Sequence, residues 1–257
     1  MKVLSKIGKR IVGVLLALFV ILMVFAVAFK IYSGDFYRAD EAMISEFQDK
    51  ASGNVLNYQN DDGQVFLPVD KDYKAVIVFY PGGKVEYTAY SGLMYELADR
   101  GFICLLPRMP ENLAFLRVNA VDVLTEKYKD QVATVDHLDW YLAGHSLGGV
   151  AASKFYEGAS VRFKGLILCA SYVTEDLSAS DCRLLSIYGS EDKVLNMENY
   201  ENSKALWPAG AEEYVIQGGI HSYFGNYGIQ DGDGEPSITN EQQIIETADV
   251  ISTFLAE

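Results

Sequence analysis

The pattern of apolar and polar positions divides this chain into one unbroken apolar segment and a long alternation of short apolar runs with amphipathic stretches. From Ile11 to Phe29 the sequence IVGVLLALFVILMVFAVAF carries no charge. Coiled as a helix it would rise about 28 Å, close to the roughly 30 Å hydrocarbon core of a bilayer. Beyond it, Ala39–Lys50 has helical character. Asn54–Tyr58 and Gln64–Pro68 read as weak strands around the turn Asn60-Asp61-Asp62-Gly63.

A regular rhythm follows. AVIVFY (75–80) is a short β-branched run that ends in Pro81-Gly82-Gly83, the signature of a buried strand and its turn. Glu86–Arg100 places Tyr90, Leu93, Met94 and Leu97 on one helical face, and Gly101 stops it. FICLLP (102–107) predicts a strand and Asn112–Tyr128 an amphipathic helix. DWYLAG (139–144) predicts a strand and Leu147–Glu157 a helix rich in small residues. GLILCAS (165–171), RLLSIYG (183–189) and EEYVIQGG (212–219) are three more strands. Helices are expected near Met197–Leu206 and at Glu241–Leu255. Strands that are apolar throughout need both faces covered, so the expected class is α/β, a mostly parallel sheet with helices on both sides. No linker or repeat divides the later part. The expected organisation is a basic stub and apolar helix over 1–34 and one α/β domain over 35–257.

Charge then separates the two parts. The first 30 residues hold five Lys/Arg and no acid, which leaves 16 basic against 35 acidic side chains beyond them, a net −19. A domain that acidic excludes nucleic acid as a partner, since phosphate binding needs a basic surface. Lys2, Lys6, Lys9 and Arg10 precede the apolar helix and only Lys30 follows closely. The positive-inside bias then keeps the N-terminus in the cytoplasm and puts the domain on the far side of the membrane, as a single-pass protein. The rival reading is a secretory signal cleaved at about Ala28, for which Ala26-Val27-Ala28 is a small-residue site, though the apolar run exceeds the usual length. Cys104, Cys169 and Cys182 make no disulfide framework, and no Cys or His/Cys set has metal-ligand spacing. Neither metal nor cofactor is expected.

One short stretch invites chemistry. GHSLG (144–148) fits G-x-S-x-G, in which a serine sits on a sharp strand-to-helix turn. In such sheets reactive groups gather at the carboxyl ends of the strands, in the chain order nucleophile, acid, histidine. Of the three histidines, His137 precedes the pattern and His145 lies inside it, with its side chain expected to point away from the serine. Only His221 follows Ser146, on a loop after the last strand. Asp192, after RLLSIYG, is the expected acid, with Glu191 as its alternative. Ser146 would be the nucleophile, His221 the base that takes its proton, and Asp192 the group that orients the imidazole. Backbone N–H groups of Leu147 and of Gly83 or Lys84 would face the oxyanion. Gly144 and Gly148 would let the backbone crowd at the turn. The run Asp231-Gly232-Asp233-Gly234-Glu235 lacks calcium-loop spacing and reads as a solvated loop.

The chain resembles the α/β-hydrolase superfamily over residues 35–257, and within it a lidless bacterial subgroup, the "alpha/beta hydrolase family 5" type. The segments that carry the resemblance are FYPGGKVEYTAY (79–90), RMPENLAF (108–115), AGHSLGGVAA (143–152), LSIYGSEDKV (185–194), GGIHSYFGNYG (218–228) and GDGEPSITNEQQ (232–243). Ile220 is a departure, standing where that subgroup carries a polar residue before the histidine. The resemblance implies hydrolysis of a carboxylic ester, small or derived from the cell envelope, through an acyl-enzyme. The superfamily also hosts thioesterases, lipases and non-catalytic members, so an idle binding or scaffold protein on the same fold is the alternative. The short span between LILCAS and RLLSIYG leaves no room for a cap, so an open site is expected. Tyr87, Tyr90, Tyr172, Tyr223, Phe224 and Tyr227 fall on or near site-side loops, most of them as core or rim packing.

Overall fold

The computed structural model describes residues 2–129, 137–159 and 162–256. Its contacts divide the chain into two units, Met1–Phe36 and Tyr37–Glu257. The first is helix α1 (Lys2–Gly34). Its stretch Gly8–Gly34 is long and apolar enough to cross a membrane or to act as a signal sequence. A helix suits that composition because it satisfies its own backbone where water is absent.

The second unit is built on an eight-stranded sheet. In chain order its strands are β1 (Val55–Asn60), β2 (Gly63–Pro68), β3 (Val76–Tyr80), β4 (Ile103–Pro107), β5 (Trp140–His145), β6 (Gly165–Cys169), β7 (Arg183–Gly189) and β8 (Glu212–Ile216). They lie side by side as β1-β2-β4-β3-β5-β6-β7-β8. The β1–β2 and β2–β4 pairs are antiparallel, and every pair from β4 to β8 is parallel. Six helices belong to this unit among the described residues: α2 (Glu41–Lys50), α3 (Ser91–Asp99), α4 (Ala120–Lys127), α5 (Leu147–Ala159), α6 (Met197–Ser203) and α7 (Asn240–Ala256).

The two-residue period of a strand sorts the core into two layers. Ile77 and Phe79 of β3, Ile167 of β6 and Ile187 of β7 pack with Phe47 of α2, Leu93 and Leu97 of α3 and Ile251 of α7. Val76, Val78 and Tyr80 of β3, Leu142 of β5 and Leu168 of β6 face the other way, onto Val121 and Leu124 of α4 and Ala152 and Tyr156 of α5. All five residues of β3 are buried, which is why the run reads as continuously apolar. The edge strands β1 and β8 are mostly exposed. Strand order reverses at β3: β4 lies on one side and β5 on the other. The crevice at such a switch point is where an open α/β sheet offers a site.

Sequence and structure part at the segment after β4. One helix over Asn112–Tyr128 was expected there, but the chain makes two short 3-10 turns, Pro110–Asn112 and Ala114–Leu116, and only then α4. Glu111 and Asn112 adopt left-handed backbone (φ 54° and 55°). The Asn112 carbonyl accepts the Lys84 N–H at 2.8 Å, a tertiary bond that a helix starting at Asn112 would spend internally. The helix expected from Glu86 likewise begins as a 3-10 turn, Tyr87–Tyr90, and becomes α3 at Ser91. All three cysteines are free and buried. Burial pushes the Cys182 thiol up to about 11, so it stays protonated.

Because β3 packs on both faces, truncating one of its side chains leaves a void that cannot collapse. Ile77→Ala should cost about 2–5 kcal/mol in urea denaturation of the detergent-solubilised chain. A loss below about 1 kcal/mol would mean that β3 is not the centre of the packed sheet.

Candidate active site

The turn from β5 into α5 is held by backbone crowding. Ser146 lies between them with φ 52°, a left-handed conformation that costs a non-glycine residue of order 1 kcal/mol or more. Its N–H donates to the Cys169 carbonyl of β6 at 3.0 Å. Its own carbonyl accepts from Gly149 N–H (3.0 Å) and from the Ser171 hydroxyl (2.7 Å). The neighbouring glycines make room. A Cβ on Gly144 would stand 2.7 Å from the backbone of Gly148 and Gly149, and one on Gly148 would overlap the carbonyl oxygens of Tyr80 and Pro81. The elbow is therefore pressed against the end of β3, and Ser146 remains partly exposed at the carboxyl edge of the sheet.

The acid and the histidine arrive from the next strands. Asp192 follows β7 and is 7% exposed, while His221 follows β8 and is 2% exposed. His221 Nδ1 donates to Asp192 Oδ2 at 2.9 Å. The other carboxylate oxygen accepts from Val194 N–H and Leu195 N–H, both at 2.8 Å, so the carboxylate cannot rotate away. Glu191 turns elsewhere, accepting from the Ser190 hydroxyl at 3.2 Å. Of the two acids named from the sequence, Asp192 is the one that meets the histidine.

The turn after β3 reaches the elbow from the other side. A Cβ on Gly83 would lie 2.7 Å from Leu147 Cδ2, so Gly83 and Leu147 touch. Among the described residues neither the Gly83 nor the Leu147 N–H has a hydrogen-bond partner. Lys84 differs, because its N–H is already given to Asn112. Of the pair Gly83 and Lys84, only Gly83 therefore has an N–H to offer. Just before it, the Gly82 N–H donates to the Tyr90 hydroxyl at 3.0 Å.

Several supporting residues escaped the sequence reading. Asp233, assigned to a solvated loop, accepts the His221 N–H (3.2 Å) and the Ser222 N–H (2.7 Å), and also the Ser222 hydroxyl. Gln243 of α7, fully buried, accepts the Ile220 N–H at 2.9 Å and donates to the Ile220 carbonyl at 2.8 Å. Backbone contacts thus hold the position where a polar side chain was expected. His145 is also buried, and its ring lies 4.5 Å from that of His221 and 5.6 Å from Phe224. Tyr87, Tyr90, Phe224 and Tyr227 are buried in the core, while Tyr172 and Tyr223 are half-buried. Both lie in the segment 232–243 that carries the family resemblance, but no complementary residue type marks their roles, since each acts on backbone groups distant along the chain.

Comparison with known proteins speaks for the fold and the family. The profile described as "Alpha/beta hydrolase family" matches residues 76–245, about two thirds of the chain. The protein therefore belongs to the α/β-hydrolase family, which supports a hydrolase of a general kind. No curated protein matches it. Among solved structures it is similar to TT1662 from Thermus thermophilus, with a TM-score of 0.55 and 17% identity, over 79% of this chain and 99% of that one. At that identity the likeness speaks for the fold.

The contact between elbow and β3 gives a test with its own control. Gly148→Ala should lower stability by about 1–3 kcal/mol, because the added carbon meets fixed carbonyls rather than a movable side chain. Gly158→Ala, later in α5 with open space around it, should be neutral or stabilise by about 0.5–1 kcal/mol. Equal thermal shifts for the two variants would contradict the crowding.

Proposed function

We propose that the protein is a serine hydrolase that cleaves carboxylic esters through an acyl-enzyme, on the outer side of the membrane that α1 crosses. One observation carries this reading. A buried Asp192–His221 pair stands at the same sheet edge as Ser146, which is held in left-handed backbone. A neutral serine hydroxyl is a weak nucleophile, and Nε2 of a histidine whose Nδ1–H is fixed on a carboxylate is the base that activates it.

The steps follow from that arrangement. Ser146 Oγ attacks the ester carbonyl carbon while its proton passes to His221 Nε2. Asp192 stabilises the resulting imidazolium and holds its orientation. The carbonyl oxygen becomes an alkoxide and is met by the Leu147 and Gly83 N–H groups, which no other acceptor occupies. Collapse breaks the bond to the leaving alkoxide, which takes the proton from His221. Water, deprotonated by the same histidine, then attacks the acyl-serine; the bond to Ser146 Oγ breaks, that oxygen takes the proton back from His221, and the acid is released. The short link between β6 and β7 supports an open site, suited to small or envelope-derived esters.

The location rests on charge. Lys2, Lys6, Lys9 and Arg10 before the apolar helix favour a cytoplasmic N-terminus and an extracytoplasmic domain. A reporter fused at the C-terminus should be active only outside the cytoplasm, and a cytoplasmic signal would contradict the orientation.

For the chemistry, hydrolysis of short-chain chromogenic esters should fall by a factor on the order of 10³ or more in Ser146→Ala and in His221→Ala, with KM little changed. Asp192→Asn should lose a comparable factor, because the amide favours the wrong tautomer. Retention of activity in folded Ser146→Ala would remove the serine mechanism. If the folded wild type fails to cleave any of these esters, the scaffold reading holds instead.

A further inference from the structure

A buried pair behind the reacting groups has no part in the steps above. Tyr90, at the end of the 3-10 turn that precedes α3, is completely buried. Its hydroxyl accepts the Gly82 N–H at 3.0 Å and lies 2.8 Å from His145 Nδ1. Burial pushes this phenol far up, so it keeps its proton. His145 is driven the opposite way. Burial first, and the neighbouring His221 second, hold it well below the usual imidazole range, although the His221 main chain favours the protonated ring. His145 is therefore neutral.

The proton positions follow. A phenol that already accepts from Gly82 has one proton to give, and Nδ1 of a neutral imidazole is the acceptor in reach. With Nδ1 accepting, the His145 hydrogen must sit on Nε2, a buried nitrogen that has no partner in hydrogen-bond geometry among the described residues. The ring so fixed lies against His221 at 4.5 Å and 5.6 Å from Phe224. Tyr90 thus touches the turn that carries Gly83, and His145 touches the base.

We propose that Tyr90 and His145 are a positioning pair that holds the turn after β3 and the His221 ring in one arrangement, by fixing His145 as the neutral tautomer protonated on Nε2. This rests on the serine-hydrolase reading for its catalytic purpose. Neither residue touches the substrate. Losing the phenol oxygen frees the Gly82 N–H and the His145 ring together, so both sides of the site lose their reference at once. Misplacement of reacting groups by a fraction of an ångström to one ångström is enough to slow a reaction severely.

Two measurements on the full detergent-solubilised chain test the pair. The first is side-chain nitrogen NMR of the three histidines, with His137→Gln to assign one of them. One ring should remain neutral with its hydrogen on Nε2 from about pH 6 to about pH 8, and Tyr90→Phe should abolish that fixed pattern. The second is the rate of labelling by a fluorophosphonate. Tyr90→Phe and His145→Leu should slow the bond-forming step on the order of 10- to 100-fold with little change in probe affinity. His145→Asn should recover most of that rate, because its side-chain oxygen can take the place of Nδ1.

A His145 ring that titrates in this range, or carries its hydrogen on Nδ1, overturns the proposal. So do variants that melt lower yet label at the wild-type rate, since the pair is then packing only. A wild type with the expected tautomer that no fluorophosphonate labels sinks the hydrolase reading, and the pair's catalytic purpose with it.

Discussion

The close approach of the β5–α5 turn to the end of β3 is the constraint on which the rest of this structure depends. Gly148 sits so near the Tyr80 and Pro81 carbonyls that no side chain fits, and Gly144 is pressed as closely against the first turn of α5. That contact tips Ser146 into left-handed backbone and brings Leu147 against Gly83. Among the described residues neither the Gly83 nor the Leu147 N–H has a hydrogen-bond partner. Strain at one residue is tolerable because the parallel pairing of β3, β5 and β6 over-determines the turn.

The histidine side of the site is crowded as well. A Cβ on Gly189 would stand 2.3 Å from the Gly219 backbone and 2.7 Å from Ile220 N, so the end of β7 is pressed against the loop that leads to His221. The His221 loop is clamped on backbone groups by Asp233 below and by Gln243 of α7 at the preceding residue. Asp192 is fixed in turn by two N–H donors from its own loop. Asp192 and His221 thus have separate supports, and the hydrogen bond between them joins the ends of β7 and β8. Charged groups held in a dry setting by fixed dipoles need little rearrangement when a proton moves.

Much of this was legible in the sequence, for reasons that differ between elements. Strands β3, β4 and β6 were readable because helices cover both faces and every residue in the run is buried, and β7 because its run is mostly apolar despite Arg183 and Ser186. The elbow was readable because crowding there demands glycine at fixed spacing. His221 stood out by elimination among three histidines. The segment 112–128 was misread because the Asn112 carbonyl is committed to Lys84, a bond 28 residues away that periodicity does not register. The same bond separates Gly83 from Lys84, which composition alone treats as equals. The roles of Asp233 and Gln243, inside the resembling segment 232–243, were unreadable for a related reason, since both act on main-chain atoms and leave no complementary residue type to find.

The division of charge gives the chain its wider sense. A basic stub and an apolar helix, long enough to cross a membrane or to act as a signal sequence, precede a domain of net negative charge. What the α/β domain does depends on whether Ser146 becomes covalently acylated. The direct measurement is peptide mapping by mass spectrometry after the full chain reacts with a slowly turned-over acylating ester. The account predicts a single acyl adduct on the peptide that contains Ser146, absent when His221 is replaced by alanine. An adduct on any other residue, or turnover of the ester with no adduct at Ser146, would contradict it.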